Sequence, residues 1–124
     1  MVSRAPAGHE TRGTHAVLVI DMFHYDEESE VVVEGFPTLE AAREYARRRT
    51  RDSVEGLREP GQSHEELRQM WSAFGEDAIV LGREFSRSYA GFSELDYFIA
   101  NPASPEESDW VGLGRELGVT VKRE

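Results

Sequence analysis

The chain has 124 residues, with 24 Asp and Glu against 14 Lys and Arg, a formal net charge of −10 and no cysteine. That composition excludes disulfides, a thiolate metal site and a cysteine nucleophile, and an acid excess of this size repels a polyanionic backbone. The base is almost all arginine, with Lys122 the sole lysine. Simple solubility ranks first as the reason for the acidity. An arginine-supplying GC-rich genome or a salt-rich cytoplasm comes next, and a face that docks on a basic protein or mimics phosphate comes last.

Residues 1–14 are small, polar and aperiodic, so a flexible tail is expected there, followed by a single domain over 15–124. The tail lacks the apolar stretch of a secretory signal, and no apolar run approaches the ~20 residues of a membrane span. A cytoplasmic chain with no membrane association is the expectation. From Ala16 to Phe23 the run is apolar on both faces, which predicts a strand covered on both sides or nearly so. A polar stretch, Tyr25 to Ser29, separates it from a second strand over Glu30 to Phe36, and so short a connection makes the pair an antiparallel hairpin.

Thr38 is placed to cap a helix running to Glu59, with Leu39, Ala42, Ala46, Thr50, Ser53, Val54 and Leu57 on its apolar arc. Pro60-Gly61 stops it. Ser63 and Glu66 form a capping box for the next helix, where Leu67, Met70, Trp71 and Phe74 fall at i, i+3, i+4 and i+7 before Gly75. A third strand is predicted over Ala78 to Phe85, a loop over Ser86 to Gly91, and a short helix containing Leu95, Phe98 and Ile99. Ser104-Pro105 with Glu107 signals a last helix bearing Trp110, Leu113 and Leu117, weakened by Gly112 and Gly114. Val119 to Val121 either adds an edge strand or frays. The order β-β-α-α-β-α-α gives an α+β fold: a small, mainly antiparallel sheet with helices packed on one face and the first strand central.

The candidate chemistry is thin. Arg43, Arg47, Arg51 and Arg58 form a stripe on the first helix, but residues 38–59 hold six arginines and five acids. Each arginine has a carboxylate at i±3 or i±4, the pattern of a solvated helix face. Arg49 sits beside Ala42 at the edge of the apolar arc and reads as a half-buried ion-pair residue ahead of a ligand contact. The acidic loop around His24 lacks EF-hand spacing, and no histidine pair has zinc-ligand spacing, so neither metal nor cofactor is expected. Ser88, Tyr89 and Arg87, with His24 or Asp21 across the sheet, hold the right groups for acid–base or nucleophilic chemistry, yet nothing in their spacing fixes a geometry. Catalysis therefore ranks below binding. Aromatic residues concentrate near the C-terminus, and Tyr89 and Phe92 flank Ala90-Gly91 in the predicted loop. Arg87, Tyr89, Phe92, Trp110 and His24 are the expected partner or ligand contacts. The leading expectation is a non-catalytic module that binds a protein partner or itself. The alternatives are a small-ligand or enzymatic pocket between the sheet and the C-terminal helices, and an acidic inhibitor or antitoxin-like partner of a basic protein. Nucleic acid is disfavoured as a partner.

Overall fold

The structure, a computed structural model, describes residues 15–23, 30–82 and 87–123. The predicted tail over 1–14, the acidic loop with His24, and residues 83–86 lie outside the described residues.

Strand β1 (Ala16–Asp21) occupies the middle of a five-stranded sheet, flanked by β2 (Val31–Glu34) and β3 (Glu76–Leu81). β4 (Arg87–Ala90) pairs with β3 at one edge and β5 (Thr120–Arg123) with β2 at the other, giving the order β4-β3-β1-β2-β5. Every pairing is antiparallel. The register sets Val17 opposite Val33 and Val80, and Val19 opposite Val31 and Ala78. Because side chains alternate along a strand, these six apolar residues share one face.

That face is covered by α1 (Leu39–Leu57) and α4 (Trp110–Leu117), which bring Ala42, Tyr45, Ala46, Trp110, Leu113 and Leu117 onto the valines. The small residues of α1 let its axis approach the sheet. Gly114 serves the same end on α4, since a Cβ there would stand 3.1 Å from the Tyr45 ring. A second apolar cluster lies where the C-terminal half of α1 meets α2 (His64–Phe74) and α3 (Leu95–Ala100). It contains Val54, Leu67, Trp71, Leu95, Phe98 and Ile99. The caps form as the sequence requires. Thr38 accepts from the Ala41 N–H at 3.0 Å, and Ser63 and Glu66 bond each other's backbone N–H. Among the described residues no helix is long and apolar enough to cross a membrane.

The α+β class, the antiparallel sheet, the helices on one face and the central position of the first strand stand as expected from sequence. Four local expectations need correction. The segment 87–90 is a strand and not a loop, because the free edge of β3 supplies backbone partners that no local pattern announces; the register shifts between Val80 and Leu81. The third strand begins earlier than predicted, at Glu76. The Ser104–Glu107 box does form, with both reciprocal bonds, but it opens only a 3-10 turn, Glu106–Ser108; α4 starts at Trp110 with Asp109 as its cap. Finally, the two faces of β1 are not equally buried: Val17 and Val19 are buried, whereas Leu18 and Ile20, on the other face, are half-buried. The open choice at Val119 to Val121 resolves as the edge strand β5.

Candidate functional site

The arginines of α1 organise the polar part of the molecule, and they do so through distant partners. Arg47 grips Glu94 with two bonds, Nε to Oε2 at 2.8 Å and Nη2 to Oε1 at 3.1 Å. The Tyr89 hydroxyl donates to the same carboxylate at 2.5 Å, and the Arg43 guanidinium lies 5.8 Å from the Tyr89 ring centre. The Arg47 bonds hold the Glu94 carboxyl below its usual range against the opposing effect of burial. Burial first, and then the Glu94 carboxylate, push the Tyr89 phenol well above its ordinary value. A phenol so placed is a fixed hydrogen-bond donor and a poor acid or nucleophile.

Further along α1, Arg51 is almost wholly buried. Its Nη2 donates to the Asn101 carbonyl at 2.7 Å, its guanidinium lies over the Phe98 and Tyr97 rings, and Glu107 stands 3.9 Å away. Arg58 bonds both oxygens of Glu55 and the carbonyls of Phe98 and Ile99. Burial raises the Glu55 carboxyl, but the Arg58 bonds and the Ala103 N–H more than reverse it, leaving that carboxyl below its ordinary value. On the sheet side Arg49 bonds Glu76 at 2.9 Å and the Tyr45 hydroxyl at 2.8 Å, and lies 3.9 Å from the centre of the Trp110 ring. The solvated stripe expected from the sequence is therefore corrected. Only Arg48–Glu44 and Arg58–Glu55 are pairs within the helix. The other buried arginines tie α1 to the sheet, the 3-10 turns and α3, because α1 is covered on more than its apolar arc. Arg49 does take the structural role foreseen for it.

The predicted contact residues are dispersed over this framework. Arg87 is exposed on β4 and opposite Leu81 in the register, with no ion-pair partner among the described residues. Tyr89 is half-buried and held as above. Phe92 is 49% exposed; its ring stacks on Trp71 at 6.1 Å and lies beneath the Arg68 guanidinium. Trp110 packs edge-on against Tyr45 and donates its indole N–H to Asp52 at 2.9 Å. Phe92 thus stands at the exposed margin of the second cluster, against Trp71, and Trp110 packs against the first. His24 lies outside the described residues. Ser88 is exposed on β4. Around Trp110 two grooves open, one of about 260 Å³ walled by Tyr45, Gly114, Arg115 and Val119, the other of about 570 Å³ walled by Asp52, Glu106 and Asp109. A third, of about 450 Å³, follows the α1–α2 turn past Glu59, Gln62, Glu66 and Gln69. Among the described residues no three His, Asp or Glu side chains are grouped to hold a metal ion.

Sequence reasoning passed over Asp77, a carboxylate buried in β3. Its Oδ1 accepts the N–H of Ala78 and of Phe92, both at 2.9 Å. Desolvation raises its pKa above 3.8, in spite of those bonds and of Arg87. A carboxyl raised on folding favours the native state when protonated, so its effect on stability worsens as pH climbs from about 3.8 through the folded value. Asp77→Asn keeps the acceptor and removes the charge. Urea melts across a pH series are expected to show the variant's advantage over wild type shrinking as pH falls through that window. An advantage independent of pH would place the cause elsewhere. No clear signal in sequence marked this residue, since Glu76-Asp77 looks like the polar start of a strand.

Comparison with protein-family models, with curated proteins and with solved structures returned no match for this chain.

Proposed function

We propose that the chain is a non-catalytic binding module, acting in the cytoplasm by self-association or by docking on another protein. The observation that carries this reading is the commitment of its polar groups. Arg47, Arg49, Arg51 and Arg58, with the hydroxyls of Tyr45 and Tyr89, are each bonded to a particular carboxylate, carbonyl or guanidinium within the fold. Groups so engaged hold elements together and are not poised around a reacting atom. What the surface offers instead is apolar area, including Phe23, Phe74, Phe92 and Tyr97, each about half exposed. Isolated exposed aromatics are ordinary, but Phe92 is backed by buried Trp71 and roofed by Arg68, the residue types that dominate contact energetics.

The test is association itself, read by sedimentation of the purified chain and by retention of a host protein on the immobilised chain. The expected result is one or the other, weakened about tenfold by Phe92→Ser with little change in melting temperature. Absence of both kinds of association overturns the proposal. A complex that falls apart steeply with salt identifies the basic-partner version of the same reading. The pocket alternative rests on the groove beside Trp110, and it ranks second because the Tyr45 hydroxyl and the Trp110 indole N–H in its wall are already held, by Arg49 and by Asp52.

A further inference from the structure

The pairing of β3 with β4 stops short of the end of β3. Its register sets Ala90 opposite Ile79, so two more residues of strand would put Gly91 opposite Ala78 and Phe92 opposite Asp77. The chain instead leaves the sheet in a 3-10 turn, Gly91–Glu94, that runs into α3. One oxygen closes the open end of the ladder. Asp77 Oδ1 accepts the Ala78 N–H from β3 and the Phe92 N–H from the turn, each at 2.9 Å. A buried N–H without a partner is costly, so the place where β4 gives way to the turn depends on this carboxylate.

The rest of the turn is fastened around Phe92. A Cβ on Gly91 would run into the Thr50 side chain, and the Ser93 hydroxyl donates to the Ala90 carbonyl at 2.6 Å. Glu94 is gripped by Arg47 and Tyr89. The Phe92 ring lies on Trp71 with the two planes 22° apart, and under the Arg68 guanidinium. Trp71 and Arg68 hold the ring from α2; Asp77 ties the backbone beneath it to the sheet. Half of Phe92 is exposed, whereas Asp77 is buried, so a partner meets the ring and not the carboxylate.

We infer that Asp77 is the positioning residue for the Phe92 contact: it fixes the backbone of the turn so that the ring already holds one pose when a partner arrives. The inference rests on the binding reading above and names what sets its contact in place. A ring ordered in advance loses little rotamer freedom on contact, so affinity depends on a side chain that the partner never touches.

Asp77→Ala removes the acceptor, and Asp77→Asn keeps it. The probe is a second copy of the chain, sedimented at roughly 100 µM, or the purified host protein where the chain retains one. Asp77→Ala should weaken association about tenfold, the loss expected of Phe92→Ser, while Asp77→Asn stays within about threefold of wild type. Asp77→Ala combined with Phe92→Ser should bind no more weakly than Phe92→Ser alone, because both changes act on one contact. Should alanine prevent folding, Asp77→Glu decides. It keeps the charge but sets the oxygens one methylene further out, off the Phe92 N–H, and should bind more weakly than Asp77→Asn. In the wild-type chain the Phe92 amide hydrogen should exchange at least about tenfold more slowly than in an unfolded peptide.

Losses that multiply in the double variant overturn the inference, as do an Asp77→Ala or Asp77→Glu variant that binds like wild type and a Phe92 amide without protection. Association that Phe92→Ser leaves unchanged also overturns it. Each of these results leaves the binding reading intact; absence of all association overturns both.

Discussion

Replacing Trp71 with alanine is expected to remove about 3–5 kcal/mol of folding stability, read from denaturant unfolding. Trp71 is fully buried where α1, α2 and α3 converge, among Val54, Leu67, Leu95, Phe98 and Ile99. The main chain itself closes on the indole: a Cβ on Gly75 would lie 2.3 Å from the ring. The Gly75 carbonyl then accepts the Met22 N–H at 2.8 Å, which joins this cluster to the end of β1. The space left by alanine is hard to close, because α1 and α3 are pinned at their separation by Arg51 and Arg58 bonding the carbonyls of Phe98, Ile99 and Asn101. Such a loss is a large part of the roughly 5–15 kcal/mol that holds a domain together. Trp71→Phe should cost less than half as much. Among the described residues the indole N–H has no hydrogen-bond partner, so its removal takes away ring volume but no bond, and relieves an unsatisfied donor. Equal losses in the two variants would show that the indole N–H, and not the volume, is what the cluster depends on.

The fold class was legible because its signals are local. A cap needs a hydroxyl and three residues of chain, so Thr38, Ser63 and Glu66 announce their helices wherever the rest of the protein lies. The hairpin of β1 and β2 follows from two apolar runs and a short connection. β4 was illegible for the opposite reason. Its sequence, RSYA, carries no alternation, and it is a strand only because the edge of β3 is free to pair with it. The helical wheel of α1 found Ala42, Ala46 and Val54 but not Tyr45 and Arg51, both buried. A wheel presumes one covered side. α1 is covered by the sheet, by α4 and by α3 with its flanking turns, so its polar arc is not its solvent arc. Nor does spacing reveal the true partners: Arg47 pairs with Glu94, 47 positions away, and Arg49 with Glu76, 27 away. Of the candidate contacts, Tyr89 and Trp110 were visible as chemically distinctive. That a carboxylate holds the Tyr89 hydroxyl and Asp52 the Trp110 indole depends on tertiary contacts that no local pattern carries.

Arg51 gives the sharpest test of that difference between wheel and fold. A solvent-facing arginine changed to alanine costs within about 0.5 kcal/mol of nothing. In the fold, Arg51→Ala should cost about 3 kcal/mol, from three sources. The Asn101 carbonyl loses its donor, the cation leaves the faces of Phe98 and Tyr97, and the aliphatic stem leaves a void between α1 and α3. The lost salt bridge is the smallest part, since Glu107 is 53% exposed and returns to water when its partner is gone. Arg51→Met therefore separates packing from charge. It refills the stem's volume beside Phe98 and strands no buried anion, so it should recover at least half of the loss, with the remainder assigned to the Asn101 bond and the ring contacts. Urea melts of the two variants at low and high salt decide between the accounts. A cost that is shared equally by alanine and methionine, and that fades with salt, would mean that Arg51 acts through Glu107 as a surface ion pair. A cost that is largely restored by methionine and indifferent to salt would identify it as a core residue that happens to carry a charge.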